Sequence, residues 1–231
     1  MALTYEDIKE PFLEALRNDK RASALIEVIE AGKGTYEMAS EYAARVGDIL
    51  GRILRQFAPT ENVVVEWDLE NLIPKSLGLD HSIVSYACRY VQEALNKDAG
   101  IGIRVQEPVF DNSRAYGLVA ELQENPEFTN IEKSFWDQLV NFSQNVVDES
   151  IRENARVISR AGLESMIIRR SEFRACPWCQ EIAGAYDYDE VSDKGNDVWR
   201  RHENCRCTID FITRRNGNYY SERVNNQKKV R

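Results

Sequence analysis

Along most of the first 160 positions, apolar residues recur at intervals of three and four, the period of helices with one buried face. Ile8, Phe12, Leu13 and Leu16 follow Thr4, whose spacing to Asp7 is that of a capping box. A second helix is predicted over 20–31, stopping before Gly32 and Gly34. The third is the clearest: Met38, Tyr42, Val46, Ile49, Leu50, Ile53 and Phe57 make one stripe, and Pro59 ends it. Gly47 and Gly51 lie four apart on that helix, where they let a neighbouring backbone come close as part of core packing. Asp80 reads as the cap of a fourth helix, continued by Ile83, Tyr86, Ala87, Tyr90, Val91, Ala94 and Leu95. His81 then falls in its first turn as a surface or capping residue. Ile101, Ile103 and Val105 alternate, which predicts a short strand or an extended linker. A further helix spans 113–124, broken by Asn125-Pro126.

The longest element opens with a second capping box, Thr129 to Glu132. Its apolar face runs through Ile131, Phe135, Leu139, Phe142, Val146, Val147, Ile151, Ala155 and Ile158 to about Arg160. At 1.5 Å per residue that helix would be roughly 45 Å long, enough to act as a strut between two regions. Beyond Ser165 the pattern shifts to short β-like pieces: SMIIRRS, a stretch from Gly184 to Tyr188, and CRCTIDFITR. The expected fold is mainly α with a small C-terminal α+β module. A helical body (1–128) precedes the long connecting helix with a cysteine-rich, zinc-knuckle-like β module (129–213) and a basic tail (214–231).

Composition supports a globular chain with a sizeable core: 231 residues, 43% hydrophobic and 29% charged. No run approaches the roughly 20 apolar residues of a membrane span. The N-terminus MALTYEDIKEPF is acidic and has no apolar signal core, which predicts cytosolic synthesis. Net charge is −8, unevenly spread. The last 18 residues carry six Arg or Lys and one Glu, a balance of +5 that leaves −13 for residues 1–213. An acidic body repels phosphate, so general nucleic-acid binding is disfavoured outside a solvated basic tail. No Gly-rich phosphate loop, G-x-S-x-G elbow or H-E-x-x-H is present, and the acid pairs Glu66/Asp68 and Asp187/Asp189 read as solvated surface.

Chemistry concentrates in residues 174–211, which hold four of five cysteines and one of two histidines. Cys176-Pro-Trp-Cys179 is a C-x2-C pair, and His202-x2-Cys205-x-Cys207 follows about twenty residues on. Two such pairs can surround one tetrahedral ion, and four protein ligands leave no open position, which makes a site structural. Five candidates compete for four places. The spacing favours Cys176, Cys179, His202 and Cys205, with Cys207 spare; Cys205 and Cys207 would share one face of a strand. In a reducing cytosol metal binding is favoured over disulfides. Redox chemistry at CPWC needs a βαβ context that the pattern lacks. A metal-dependent nuclease commonly uses a second histidine to hold the ion or activate water, and His81 is the only other one in the chain, which disfavours that reading.

The run C-P-W-C … R-R-H-E-N-C-R-C resembles the phage Mu protein F-like family of minor head, or head morphogenesis, proteins. Cys176, Cys179, His202, Cys205, Arg206 and Cys207 carry the resemblance, which covers about 129–211 best. Family members often have proline after the histidine, where this chain has Glu203. The resemblance implies a non-enzymatic structural component of a tailed-phage head, assembled in the host cytoplasm. Its partners would be the portal or major capsid protein, with packaged DNA a further contact of the tail. A nucleic-acid-binding, treble-clef-like zinc module is the alternative.

Overall fold

The computed structural model describes residues 3–57, 68–124, 132–172, 175–202, 205–215 and 218–220. Six helices come first: α1 (Tyr5–Asn18), α2 (Lys20–Val28), α3 (Tyr36–Gln56), α4 (Leu69–Asp98), α5 (Asn112–Glu124) and α6 (Glu132–Arg160). Then follow β1 (Glu164–Arg170), the short α7 (Pro177–Glu181), β2 (Gly184–Asp187), β3 (Thr208–Arg215) and β4 (Asn218–Tyr220). The sheet has the order β2-β1-β3-β4 and is antiparallel throughout. The expected architecture, mainly helical with a small C-terminal sheet and a cysteine cluster beside it, is therefore the one observed.

Local chemistry explains the helix ends. Thr4 N–H donates to Asp7 Oδ2 (2.9 Å), the return arm of the capping box. The Asp19 carboxylate caps α2 by accepting from Arg21 N and Ala22 N (3.1 and 2.9 Å). One wide turn, Ile29–Lys33, follows α2, and Gly32 sits there at φ +70°, a conformation that favours glycine. Thr35 Oγ1 accepts from Met38 N (3.0 Å) to start α3. The capping box at Thr129, Pro59, Asn125-Pro126, Glu66, Glu203 and residues 221–231 of the basic tail lie outside the described residues.

Three expectations change. The fourth helix begins at Leu69, not Asp80, so Asp80 and His81 lie in its interior. Pro74 and Gly78 lie inside this helix. Proline removes one backbone bond, and burial of Leu72, Ile73 and Leu77 outweighs that loss. Secondly, α6 is no strut. It packs along α3 and α4, and polar residues off its apolar stripe, Asn141, Gln144, Asp148 and Asn154, are buried as well. Thirdly, Arg214 and Arg215, the start of the expected tail, belong to β3, and β4 pairs with them.

Residues 101–111 take the linker alternative. Their backbone pairs with a side chain instead of a strand: Asn154 Nδ2 donates to Gln106 O (2.8 Å), and Gln106 N donates to Asn154 Oδ1 (2.9 Å). One hydrophobic core runs from Ile8 and Phe12 through α3, α4 and α6 to Ile167, Ile209 and Phe211 of the sheet. Tyr36, Tyr42 and Phe135 are inside it, with Trp136 packed against it, so the first three cannot anchor a partner; Trp67 lies outside the described residues.

The tightest crossing is α3 on α6. A Cβ at Gly47 would stand 2.5 Å from Ser143 Oγ, 2.9 Å from Val140 Cα and 3.0 Å from Leu139 O. Two of those neighbours are backbone, so the helices would have to separate. Gly47→Ala should cost about 2–3 kcal/mol as overpacking. At Gly51 the nearest atom would be Trp136 Cε3 at 3.5 Å, an ordinary contact. Gly51→Ala should therefore gain about 0.5–1 kcal/mol of helix propensity. Urea midpoints of the two variants, measured with an unchanged m-value, check the opposite signs.

Beside that crossing sits Asp80, fully buried, with its Oδ2 2.7 Å from Ser143 Oγ and its Oδ1 without a partner. The serine hydroxyl is also 3.0 Å from Leu139 O. One hydroxyl proton faces two acceptors, and a neutral carboxyl supplies the second proton. Burial pushes the Asp80 pKa up to about 7, against the opposing Ser143 hydrogen bond. The folded pKa lies above the unfolded one, so this group's stabilisation is complete below about pH 4 and falls as pH rises to about 7. The swing is at most about 4 kcal/mol. Asp80→Asn should therefore raise Tm at pH 8 relative to the parent and change it little at pH 4. Calorimetry at both values tests the sign.

Candidate metal centre

The site is assembled by three segments. The C-x2-C pair opens α7: Cys176 is its N-cap, Pro177 occupies the first turn where a missing N–H costs nothing, and Cys179 N donates to Cys176 Sγ (3.4 Å). That turn holds both sulfurs on one side. Residues 200–202 supply His202, and Cys205 and Cys207 lie just before β3, not within it as the sequence suggested.

All five expected ligands converge. His202 Nε2 is 3.3 Å from Cys176 Sγ and 3.0 Å from Cys179 Sγ, and Cys179 Sγ is 3.9 Å from Cys205 Sγ. Cys176, Cys179 and His202 form one triplet with ligand atoms within 4.8 Å of one another; Cys179, Cys205 and Cys207 form another. Cys179 belongs to both. In a tetrahedral site with sulfurs about 2.3 Å from the ion, neighbouring sulfurs lie about 3.8 Å apart, so these spacings suit metal coordination. The cluster could hold a metal ion. Cys179, Cys205 and Cys207 are each 1% exposed and pack with Trp178 and Ala175 in a small cluster of their own.

Two arginines that the sequence reading did not single out face the sulfurs. Arg169, 2% exposed, donates through one terminal nitrogen to Val198 O and through the other to Cys205 Sγ (3.6 Å). Its guanidinium also lies over the Trp178 ring at 5.7 Å. No carboxylate pairs with it among the described residues. Arg201 makes a bidentate pair with Asp148 of α6 (Nε to Oδ2 2.6 Å, Nη2 to Oδ1 2.9 Å) and donates to Cys207 O (2.9 Å). Both members are 2% exposed. The Cys205 thiol is pushed down to about 4, first by its hydrogen bond with Cys207 and then, against burial, by the Arg201 and Arg169 charges. Cys207 moves up because it shares that hydrogen bond and is buried, and burial raises Cys179.

Asn141 of α6 donates to His202 O (2.9 Å), and Trp178 meets the His202 ring edge-on at 5.7 Å. One signal for Arg169 was available. Along β1 the buried positions are Ser165, Ile167 and Arg169, so a charge sits on the inward register of a strand. Arg201 and Asp148 carried no such mark.

The remaining candidates lie elsewhere. His81 belongs to the helical body, where it meets Phe110 edge-on at 5.6 Å, and burial lowers its pKa. Asp187 and Asp189 are exposed as expected. The fifth cysteine, Cys88, is buried on α4. Among the described residues no helix is long and apolar enough to cross a membrane. Comparison of the chain with family models, with curated proteins and with solved structures finds no match.

Proposed function

We propose that the chain is a structural minor head protein of a tailed phage, bound to the portal or capsid, with its C-terminal module stapled by one structural zinc ion. The observation that carries the zinc is Arg169: a permanent cation, almost wholly buried, whose polar contacts are a carbonyl and the Cys205 sulfur. A buried charge needs a counter-charge, and a metal-bound thiolate cluster supplies one. Zinc is the ion of choice because a thiolate-rich set with imidazole, tetrahedral in spacing, is its usual site. The fourth ligand beside Cys176, Cys179 and His202 is Cys205, since it meets Cys179 at 3.9 Å and receives the Arg169 hydrogen bond. Burial of the three inner sulfurs leaves no substrate position, which supports a structural and not a catalytic role.

The head-protein reading is supported by the pattern of Cys176, Cys179, His202, Cys205, Arg206 and Cys207. The test is incorporation: copies per purified head should be few and constant for the full chain. Truncation after Tyr220, which keeps β4 and removes the basic end, should leave that copy number unchanged. Absence from heads, together with DNA binding whose affinity falls steeply with salt, would favour the nucleic-acid module instead.

A further inference from the structure

A cleft of about 440 Å³ opens between α5, α6 and the His202 segment, lined by Arg114, Leu118, Gln138, Asn141, Phe142 and His202. Most of its polar lining is engaged within the protein. Asn141 Nδ2 is held by His202 O (2.9 Å), and Gln138 Nε2 donates to Glu121 Oε2 (2.7 Å). Arg201, also at the cleft, is held by Asp148. Arg114 differs: its guanidinium is partly buried and has neither a hydrogen bond nor an ion pair among the described residues.

The acids around it are committed elsewhere. Asp111 Oδ1 accepts from the Arg114 backbone N–H (3.2 Å), and Lys194 Nζ stands 3.8 Å from both Asp111 and Glu149. Glu149 also takes Arg152, and Asp148 takes Arg201. Those carboxylates balance the Arg114 charge through space, yet its five N–H donors have no protein acceptor among the described residues.

We propose that this cleft binds a small monocarboxylate with an apolar body, its carboxylate seated on Arg114 and its body over Leu118 and Phe142. The guanidinium fork matches a carboxylate with two parallel hydrogen bonds. A single negative charge suits the site better than a phosphate dianion, because Asp111, Asp148 and Glu149 stand nearby and like charges repel. The volume lies in the lower range of small-molecule sites, about 300–1,000 Å³, and the edges of Leu118 and Phe142, each 4% exposed, form the apolar part of the cleft's lining.

The experiment is an NMR titration of the full chain with sodium benzoate, and separately with inorganic phosphate, to about 20 mM at fixed ionic strength, well above a Kd of about 1 mM. Benzoate should give saturable shifts at the Gly117 and Leu118 amides and at the Arg114 side chain, with phosphate giving none there. Arg114→Gln should weaken benzoate by about tenfold or more, the loss expected for a charged hydrogen-bonded pair, with the rest of the spectrum unchanged. Arg114→Lys keeps the charge but loses the fork, should fold if the glutamine variant does not, and should bind at intermediate strength. Shifts that rise linearly without saturating, unchanged affinity in both variants, or tighter binding of phosphate than of benzoate would overturn the proposal.

Discussion

Stripping the proposed zinc with a chelator at neutral pH, or replacing Cys176 and Cys179 together by Ser, should lower Tm by about 10 °C and release the metal segments without melting the molecule. Structural zinc contributes on the order of 10 kcal/mol in isolated finger peptides. Here only part of that is at stake, because the sheet has other support. Ile167, Ile209 and Phe211 belong to the main core with α3 and α6, whereas the inner sulfurs form a separate small cluster. Loss of about 3–5 kcal/mol in a chain of this size corresponds to that fall in Tm. From sequence alone the whole region 164–213 would be expected to unfold. The packing narrows the loss to 175–183 and the segment from 200 to 207, with β1 and β3 retained. Hydrogen exchange read segment by segment distinguishes the two outcomes. Cys205→Ser should lose the ion and Cys207→Ser should keep it, as counted by native mass spectrometry; the reverse would move the fourth ligand to Cys207.

The second large effect is expected at the buried pair that fastens this module to the body. Asp148→Ala should destabilise by about 3–5 kcal/mol, because it leaves the Arg201 guanidinium buried without its counter-charge. The pair is 2% exposed on both sides and bidentate, so neither solvent screening nor side-chain mobility weakens it. Replacing both residues by apolar ones of similar volume, Asp148→Leu with Arg201→Met, should recover most of that loss, since two well-packed apolar groups carry no desolvation cost. A double-mutant cycle in urea gives the coupling. The double variant should still bind zinc more weakly than the parent, because Arg201 also donates to Cys207 O and its charge faces the thiolates. Equal zinc affinity would confine Arg201 to a packing role.

Much of this arrangement is legible in one dimension. Periodicity finds α3, α5 and the end of α6 at Arg160, because each of those helical faces meets one hydrophobic core and a buried face writes its period directly into the sequence; β1 is found only as the short β-like run SMIIRRS, and the alternation at Ile101, Ile103 and Val105 forms no strand. The five candidate ligands are legible for a similar reason. A turn that brings two sulfurs to one point needs them at fixed short spacing, so the local geometry is encoded locally. Helix α4 was read too short because Asp80 has the residue type of a cap, while the turns before it are held helical by burial of Leu72, Ile73 and Leu77 in the common core.

What surrounds the candidate ligands had no comparable signal. Arg169 lies 36 positions from the Cys205 sulfur it touches, and Arg201 lies 53 from Asp148. No short-range pattern links such pairs; only folding back of β1 beside β3, and docking of the module on α6, places them together. The same holds for Asp80, a cap by its residue type but a buried acid by its position against Ser143. The sequence by itself determined most of the helices, the small C-terminal sheet and the identity of the candidate ligands, because those depend largely on contacts within a few residues. Tertiary structure alone decided which charges are buried, which are paired and which, like Arg114, face a cleft, because burial and pairing depend on elements that are distant in the chain and adjacent only after folding.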